Sequence, residues 1–180
     1  MKEYKIPEKL SRVAIIGYSG SGKSTLARKI SKKMGLKVLH LDCVFWKSGW
    51  EPITPAQMQQ EVAKFLDEND SWVIDGTYSK CHAERRMAEA ELIIFMSFGR
   101  IECLKRAIKR YKRYKGRSRP SMTVGCNERI NGSFLWWLLF KGRSRKNRAK
   151  YKAMISGNED KTIIVKNQRQ LNALYEALGL

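Results

Sequence analysis

Gly17-Tyr18-Ser19-Gly20-Ser21-Gly22-Lys23-Ser24 follows the pattern G-x-x-x-x-G-K-[ST], the spacing of a phosphate-binding loop. Three glycines let the main chain turn tightly and aim successive N–H groups into one concavity. The ammonium of Lys23 reaches the β- and γ-phosphates of a nucleotide, and the Ser24 hydroxyl holds Mg²⁺. The whole donor cradle on this reading is Gly17, Ser19, Gly20, Ser21, Gly22, Lys23, Ser24 and Thr25. A helix opening at the loop's end adds its positive pole to the same anion.

The flanks carry the required context. Arg12-Val13-Ala14-Ile15-Ile16 is short, β-branched and apolar, as a buried parallel strand is. From Ser24 to Met34 the apolar residues Leu26, Ala27, Ile30 and Met34 recur at helical spacing, and Gly35 is a stop. Further along, the spacing predicts strands over 36–41, 71–74, 92–98 and 161–165. Helices are predicted over about 55–68, 83–90, 100–115, 128–140, 144–155 and 168–178, the first opened by a capping box at Thr54 and Gln57. Strands alternating with helices give a parallel sheet covered on both faces. Ligands of such sheets sit beyond the carboxyl ends of the strands, which brings Asp42, Asp75 and the 17–24 loop to one edge.

The chain has 180 residues, 43% of them hydrophobic, enough for one domain with a sizeable core. Cys43, Cys81, Cys103 and Cys126 are scattered, with no C-x-x-C pair and no His cluster near them, which argues against a zinc site and for reduced thiols in the cytoplasm. Met1 to Pro7 lacks an apolar leader, and the longest apolar run, Phe134 to Phe140, is far too short to span a membrane. Net charge is +19, and +16 of it lies between Arg100 and Lys152. That asymmetry attracts polyanions. Nucleotide phosphates are one class, and nucleic acid bound through residues 100–152 is the alternative.

Individual residues then take roles. Asp75 follows an apolar strand and precedes Gly76, so its carboxylate is placed to hold Mg²⁺ with Ser24 through water. Asp42 is placed to accept a hydrogen bond from an acceptor hydroxyl and to act as base. His40 reads as a strand residue. Trp46 and Trp50 offer stacking surfaces for an acceptor, and Arg86 offers a phosphate contact. Arg106 and Arg110 share one helix face and can neutralise charge on a phosphoryl group in transit. The segment Gly116 to Pro120 is rich in helix breakers and suits a mobile lid loop.

Taken together, Gly17–Ser24 with Thr25-Leu26-Ala27, His40-Leu41-Asp42 with Trp46 and Trp50, Trp72 to Tyr78, Arg86, Cys103-Leu104 with Arg106 and Arg110, Gly125-Cys126, and Phe134 to Phe140 resemble the adenylate-kinase-like P-loop proteins named DNA topology modulation proteins. The resemblance spans nearly the whole chain. It implies a three-layer α/β sandwich of the P-loop NTPase type, with a five-stranded parallel sheet in the order 2-3-1-4-5. It also implies a basic helical lid at about 100–155, a phosphate-acceptor site, ATP and Mg²⁺. Asp75-Gly76 is similar to the Asp-Gly of nucleotide monophosphate kinases, but Thr77-Tyr78-Ser79 follows where those kinases have Phe-Pro-Arg. The acceptor-phosphate arginine of those kinases is therefore missing, and a mononucleotide acceptor requires Arg86 to substitute for it.

Overall fold

The computed structural model describes Tyr4 and residues 6–180; Met1, Lys2, Glu3 and Lys5, part of the segment read for a leader, lie outside the described residues. Five parallel strands form one sheet: β1 (Arg12–Gly17), β2 (Lys37–His40), β3 (Trp72–Asp75), β4 (Leu92–Met96) and β5 (Thr162–Val165). Their spatial order is β2-β3-β1-β4-β5, as expected from the resemblance. The central strands are buried almost along their whole length because helices cover both faces, so apolar residues fill the buried positions up to Asp75 at the carboxyl end of β3.

Helix α1 (Lys23–Met34) leaves the phosphate-binding loop and ends at Gly35 in the left-handed region, φ 69°. It buries Leu26, Ala27 and Ile30 against the sheet. A short helix α2 (Leu41–Phe45) follows β2 directly, so Asp42 sits in a helical first turn and not at a strand end. Next come α3 (Pro55–Glu68) and α4 (Ala83–Glu89). Thr54 caps α3 as read: its side chain accepts from the Gln57 N–H while the Gln57 side chain accepts from the Thr54 N–H. Between α2 and α3, a small hairpin pairs Trp46–Lys47 with Glu51–Pro52 across the three-residue turn Ser48–Trp50.

The basic half contains α5 (Arg100–Tyr114), α6 (Gly132–Leu139), α7 (Arg145–Ile155) and, after β5, α8 (Gln168–Ala177). Helix α6 starts four residues later than expected, capped by the Asn131 side chain. Glu128 is therefore loop, bridged to Lys115 at the foot of α5. The Gly116–Pro120 segment is not a free flap here. Residues 123–126 behind it pack on the hairpin: Thr123 Oγ1 donates to Trp46 O at 2.6 Å, Cys126 Sγ to Lys47 O at 2.9 Å, and Gly125 touches Ser48. Side-chain and main-chain bonds from both segments fix the loop over the sheet's carboxyl edge.

Candidate active site

The loop after β1 is built by close approach. Gly20 has φ 76°, and a Cβ there would lie 2.5 Å from the Cys103 carbonyl on α5. Only glycine meets both conditions. The loop main chain is held from the other side by Tyr151 of α7, whose hydroxyl donates to Gly17 O at 3.0 Å, and by Thr77 after β3, bonded to both Gly17 N and O. Thr25 and Leu26 make the first bonds back, both to Gly22 O. Among the described residues, no carbonyl accepts from the N–H groups of Gly22, Lys23 or Ser24, which is what a helix start turned toward an anion requires.

A cavity of about 1120 Å³ lies on this edge. It is lined by Gly17, Ser19, Gly20, Gly22, Lys23, Ser24 and Thr25 of the loop, and by Asp42, Trp46, Trp50, Asp75, Arg106 and Arg110. One edge thus gathers almost every residue singled out from the sequence. Ser21 is the exception in the loop: its side chain is buried, and its carbonyl instead accepts from Arg106 Nη1 at 2.7 Å. Arg106 also bonds Glu102 and Gln168 and lies 3.9 Å over the Phe98 ring.

Lys23 donates to Tyr18 O at 3.0 Å. Burial lowers its pKa, against the pull of Asp75 and Asp42. Asp75 sits opposite His40 in the β2–β3 register, and its Oδ2 lies 3.0 Å from His40 Nδ1. Burial acts to raise the Asp75 pKa, but the His40 bond, Lys23 and the nearby Ser24 hydroxyl outweigh it and hold the carboxyl below its usual range. Its other oxygen, Oδ1, is buried with no hydrogen-bond partner. A buried, ionised, half-satisfied carboxylate beside Ser24 fits a cation. Among the described residues no cluster of three His, Cys, Asp or Glu side chains builds a metal site alone. A hydroxyl, one carboxylate and the ligand's own phosphates are the donor set that Mg²⁺ takes in such sites. Gly76 follows because a Cβ there would lie 2.7 Å from Leu41 Cβ, at the start of α2.

Asp42 is held at both oxygens. Tyr78 donates to Oδ1 at 2.9 Å and Arg119 Nη2 to Oδ2 at 3.3 Å. Burial and the Asp42 charge push the Tyr78 phenol upward, so it stays a donor. Arg119 also lies 3.8 Å from Glu128, and Arg110 bonds Glu128 at 2.6 Å. Burial, then Arg119, lowers the Arg110 pKa, while Glu128 opposes both. Glu128 is a residue to which the sequence assigns no site role, and Arg119 reads there only as an arginine of the lid loop. To His40 the sequence likewise assigns none, and the strand register makes it a partner of Asp75.

Arg86 is the correction. It is fully buried and outside the cavity. Its guanidinium donates to the carbonyls of Cys81 at 3.0 Å, Gly76 at 3.3 Å and Tyr78 at 2.9 Å. Burial brings its pKa down to about 10. Its donors are spent on fixing the loop between β3 and α4, so it does not face an acceptor phosphate.

A family model described as an AAA domain matches residues 13–129. No curated protein matches the chain. Three solved structures share the fold along nearly the full length. A gluconokinase from Sinorhizobium meliloti 1021 is 18% identical, with a TM-score of 0.50 over 94% of this chain and 90% of its own. A sugar kinase from Janibacter sp. HTCC2649 is 14% identical, with a TM-score of 0.53 over 95% and 94%. A deoxyadenosine kinase from M. mycoides, with the products dcmp and dcdp bound, is 16% identical, with a TM-score of 0.53 over 93% and 98%.

Proposed function

The chain belongs to the AAA domain family, and from that premise we propose that it is a Mg²⁺-dependent phosphotransferase of the nucleoside or nucleotide kinase type, moving the γ-phosphate of ATP to a small hydroxylated acceptor. The observation that carries this reading is the convergence of Lys23, Asp75, Asp42 and the arginines 106, 110 and 119 on one cavity at the carboxyl ends of the strands. The kinase fold of the three solved structures supports it. On this reading residues 1–180 form one domain with a basic lid at about 100–155, working in the cytoplasm.

The loop N–H groups and Lys23 bind the β- and γ-phosphates. Ser24, with Asp75 through water, would hold Mg²⁺, which supplies charge neutralisation across the phosphates when bound. Asp42, fixed by Tyr78 and Arg119, accepts the acceptor hydroxyl in line with the γ-phosphorus. As the acceptor oxygen bonds to phosphorus, the bond from phosphorus to the bridging oxygen breaks. ADP leaves with that electron pair, and the hydroxyl proton passes to the Asp42 carboxylate. Arg110 and Arg119 stabilise the negative charge spread over the moving phosphoryl group. Arg106 holds the loop at Ser21 and keeps the donor site in register with α5.

Replacing Lys23 with Ala removes a preorganised donor and should lower kcat by about 10²- to 10³-fold or more with the fold retained. Asp42→Asn should lower kcat with little change in KM for ATP. Unchanged turnover in both variants defeats the proposal.

A second reading has one observation in its favour. Lys105, Lys112, Arg145, Lys146 and Arg148 are exposed outside the cavity. They leave the outer surface of α5 and of α7 basic, which suits a nucleic-acid backbone, as the resemblance to DNA topology modulation proteins implies. Binding through that face falls steeply with log salt; binding insensitive to salt excludes it.

A further inference from the structure

Ten basic side chains and three acidic ones line the cavity. Five of the ten are committed: Lys23 and Arg28 to main-chain carbonyls, Arg106 to Glu102, Ser21 and Gln168, and Arg110 and Arg119 to Glu128 and Asp42. The side chains of Lys109, Arg113, Arg129, Lys141 and Lys150, all exposed, take part in none of the hydrogen bonds or ion pairs among the described residues. The donor phosphates are answered by the loop and Lys23. The other five cations line the cavity without a hydrogen-bonding or ion-pairing partner among the described residues.

Arg129 has a fixed place. Its guanidinium lies 5.1 Å over the Trp50 ring. Trp50 adopts φ 67°, a conformation a bulky residue rarely takes without a surrounding structure that enforces it. The enforcement is visible: Trp50 Nε1 donates to Asn127 O at 3.1 Å, and Gly49 N to Gly125 O at 3.3 Å. The loop that carries Arg129 is therefore fastened to the loop that carries the ring beneath it. From Trp50 a run of ring contacts leads back to Asp42: Trp50 to Trp46 at 5.6 Å, Trp46 to Phe45 at 4.8 Å, Phe45 to Tyr78 at 5.3 Å, and the Tyr78 hydroxyl to Asp42. Of this run Trp50, Trp46 and Tyr78 line the cavity, with the Asp42 carboxylate at one end and the Arg129 guanidinium at the other.

We infer that Arg129 on Trp50, with Arg113 lining the same cavity, forms an anion subsite, so that the acceptor is a hydroxylated molecule bearing a carboxylate or a phosphate. The inference deepens the proposed kinase reading and rests on it for the acceptor's role. The guanidinium suits either anion by paired N–H donation, and the stacked ring restricts its rotamers before the ligand arrives. Arg86, buried on three carbonyls, leaves this as the acceptor-charge site.

The test uses acceptor pairs that differ in charge and keep free hydroxyls: glucose with gluconate, and glucose with glucose 6-phosphate. Transfer from Mg·ATP is measured for each. Binding is measured separately by tryptophan fluorescence, with a non-hydrolysable ATP analogue and Mg²⁺ present and inorganic phosphate as a further probe. Expected is transfer to the anionic member of a pair only, with its KM or Kd raised roughly 10- to 100-fold in Arg129→Gln. Arg129→Lys should recover part of that loss, and KM for Mg·ATP should not move. The pair that responds tells carboxylate from phosphate. Equal use of the neutral member, unaffected by Arg129→Gln, overturns the subsite and leaves the kinase reading standing. Arg129-dependent anion binding without any transfer upholds the subsite and removes the kinase reading. Neither transfer nor Arg129-dependent binding removes both.

Discussion

At Asp75 two requirements meet in one side chain. It must stay ionised inside the protein, and it must keep an oxygen free. His40 and Lys23 supply the first, and the unpartnered Oδ1 is the second. The linkage has a definite sign. A carboxyl whose folded pKa lies below its unfolded value of about 3.9 adds stability that is present above that pH. The stability is lost as pH falls through the folded value. Melting temperature measured from about pH 6 to about pH 3 should therefore fall in the wild type, and Asp75→Asn should flatten that decline; equal slopes contradict the assignment. Arg86 makes the opposite case, a charged residue with a structural task. Arg86→Lys cannot reproduce three carbonyl bonds and should cost about 2–3 kcal/mol in chemical denaturation, without changing acceptor KM in the folded enzyme. A specific loss of acceptor affinity would restore Arg86 to the binding site. Sequence alone marked Lys23, Ser24 and Asp75, because spacing and chain neighbours define them. Arg86 was misplaced because burial is a tertiary property: an arginine on a short helix reads the same whether it faces ligand or carbonyls.

At the scale of elements, the loop from Gly116 to Asn131 is the part the sequence conveyed least. Its glycines and Pro120 announce a break in helix, and the break is there. What they do not announce is that Thr123, Gly125 and Cys126 dock on the 46–52 hairpin, some eighty residues away in the chain. Nor does a lone acid among many bases announce itself as a clasp. Glu128 is that clasp, buried between Arg110 and Arg119. Glu128→Gln leaves two arginines poorly compensated and should destabilise the protein by about 3 kcal/mol, the low end for a broken buried pair because Arg110 is 24% exposed. It should also lower kcat more than it raises KM for ATP, since the arginines it positions serve the phosphoryl group. Full stability in the variant would mean that the loop is held by its main-chain bonds alone. The capping box of α3 and the α1 stop at Gly35, by contrast, were legible because each depends on residues within one or two turns.

For the whole molecule, topology does the gathering. The order β2-β3-β1-β4-β5 sets the β2 and β3 ends beside the phosphate-binding loop, so His40, Asp42 and Asp75 meet Lys23 without long connections. The alternation of strand and helix made that edge readable in advance. The charge distribution was readable too, but not its division into cations turned to the cavity and cations on the outer face. Nucleotide binding should couple this edge to global stability. Saturation by Mg·ATP at a hundred times Kd adds about 2.7 kcal/mol. For a chain of this size that corresponds to roughly 5–10 °C in Tm. The shift should vanish in Lys23→Ala, and a shift of equal size in that variant would place the nucleotide elsewhere.

The most direct test of the central claim is ³¹P NMR of Mg·ATP with the wild-type protein and a panel of nucleosides, mononucleotides and hydroxylated acids, with duplex and single-stranded DNA in separate tubes. The kinase reading predicts one new signal, an ester from a hydroxyl acceptor or an anhydride from a mononucleotide, growing in step with ADP, present only with a small acceptor and absent in Lys23→Ala. ADP and inorganic phosphate formed at the same rate with every acceptor, or only when DNA is added, would contradict it.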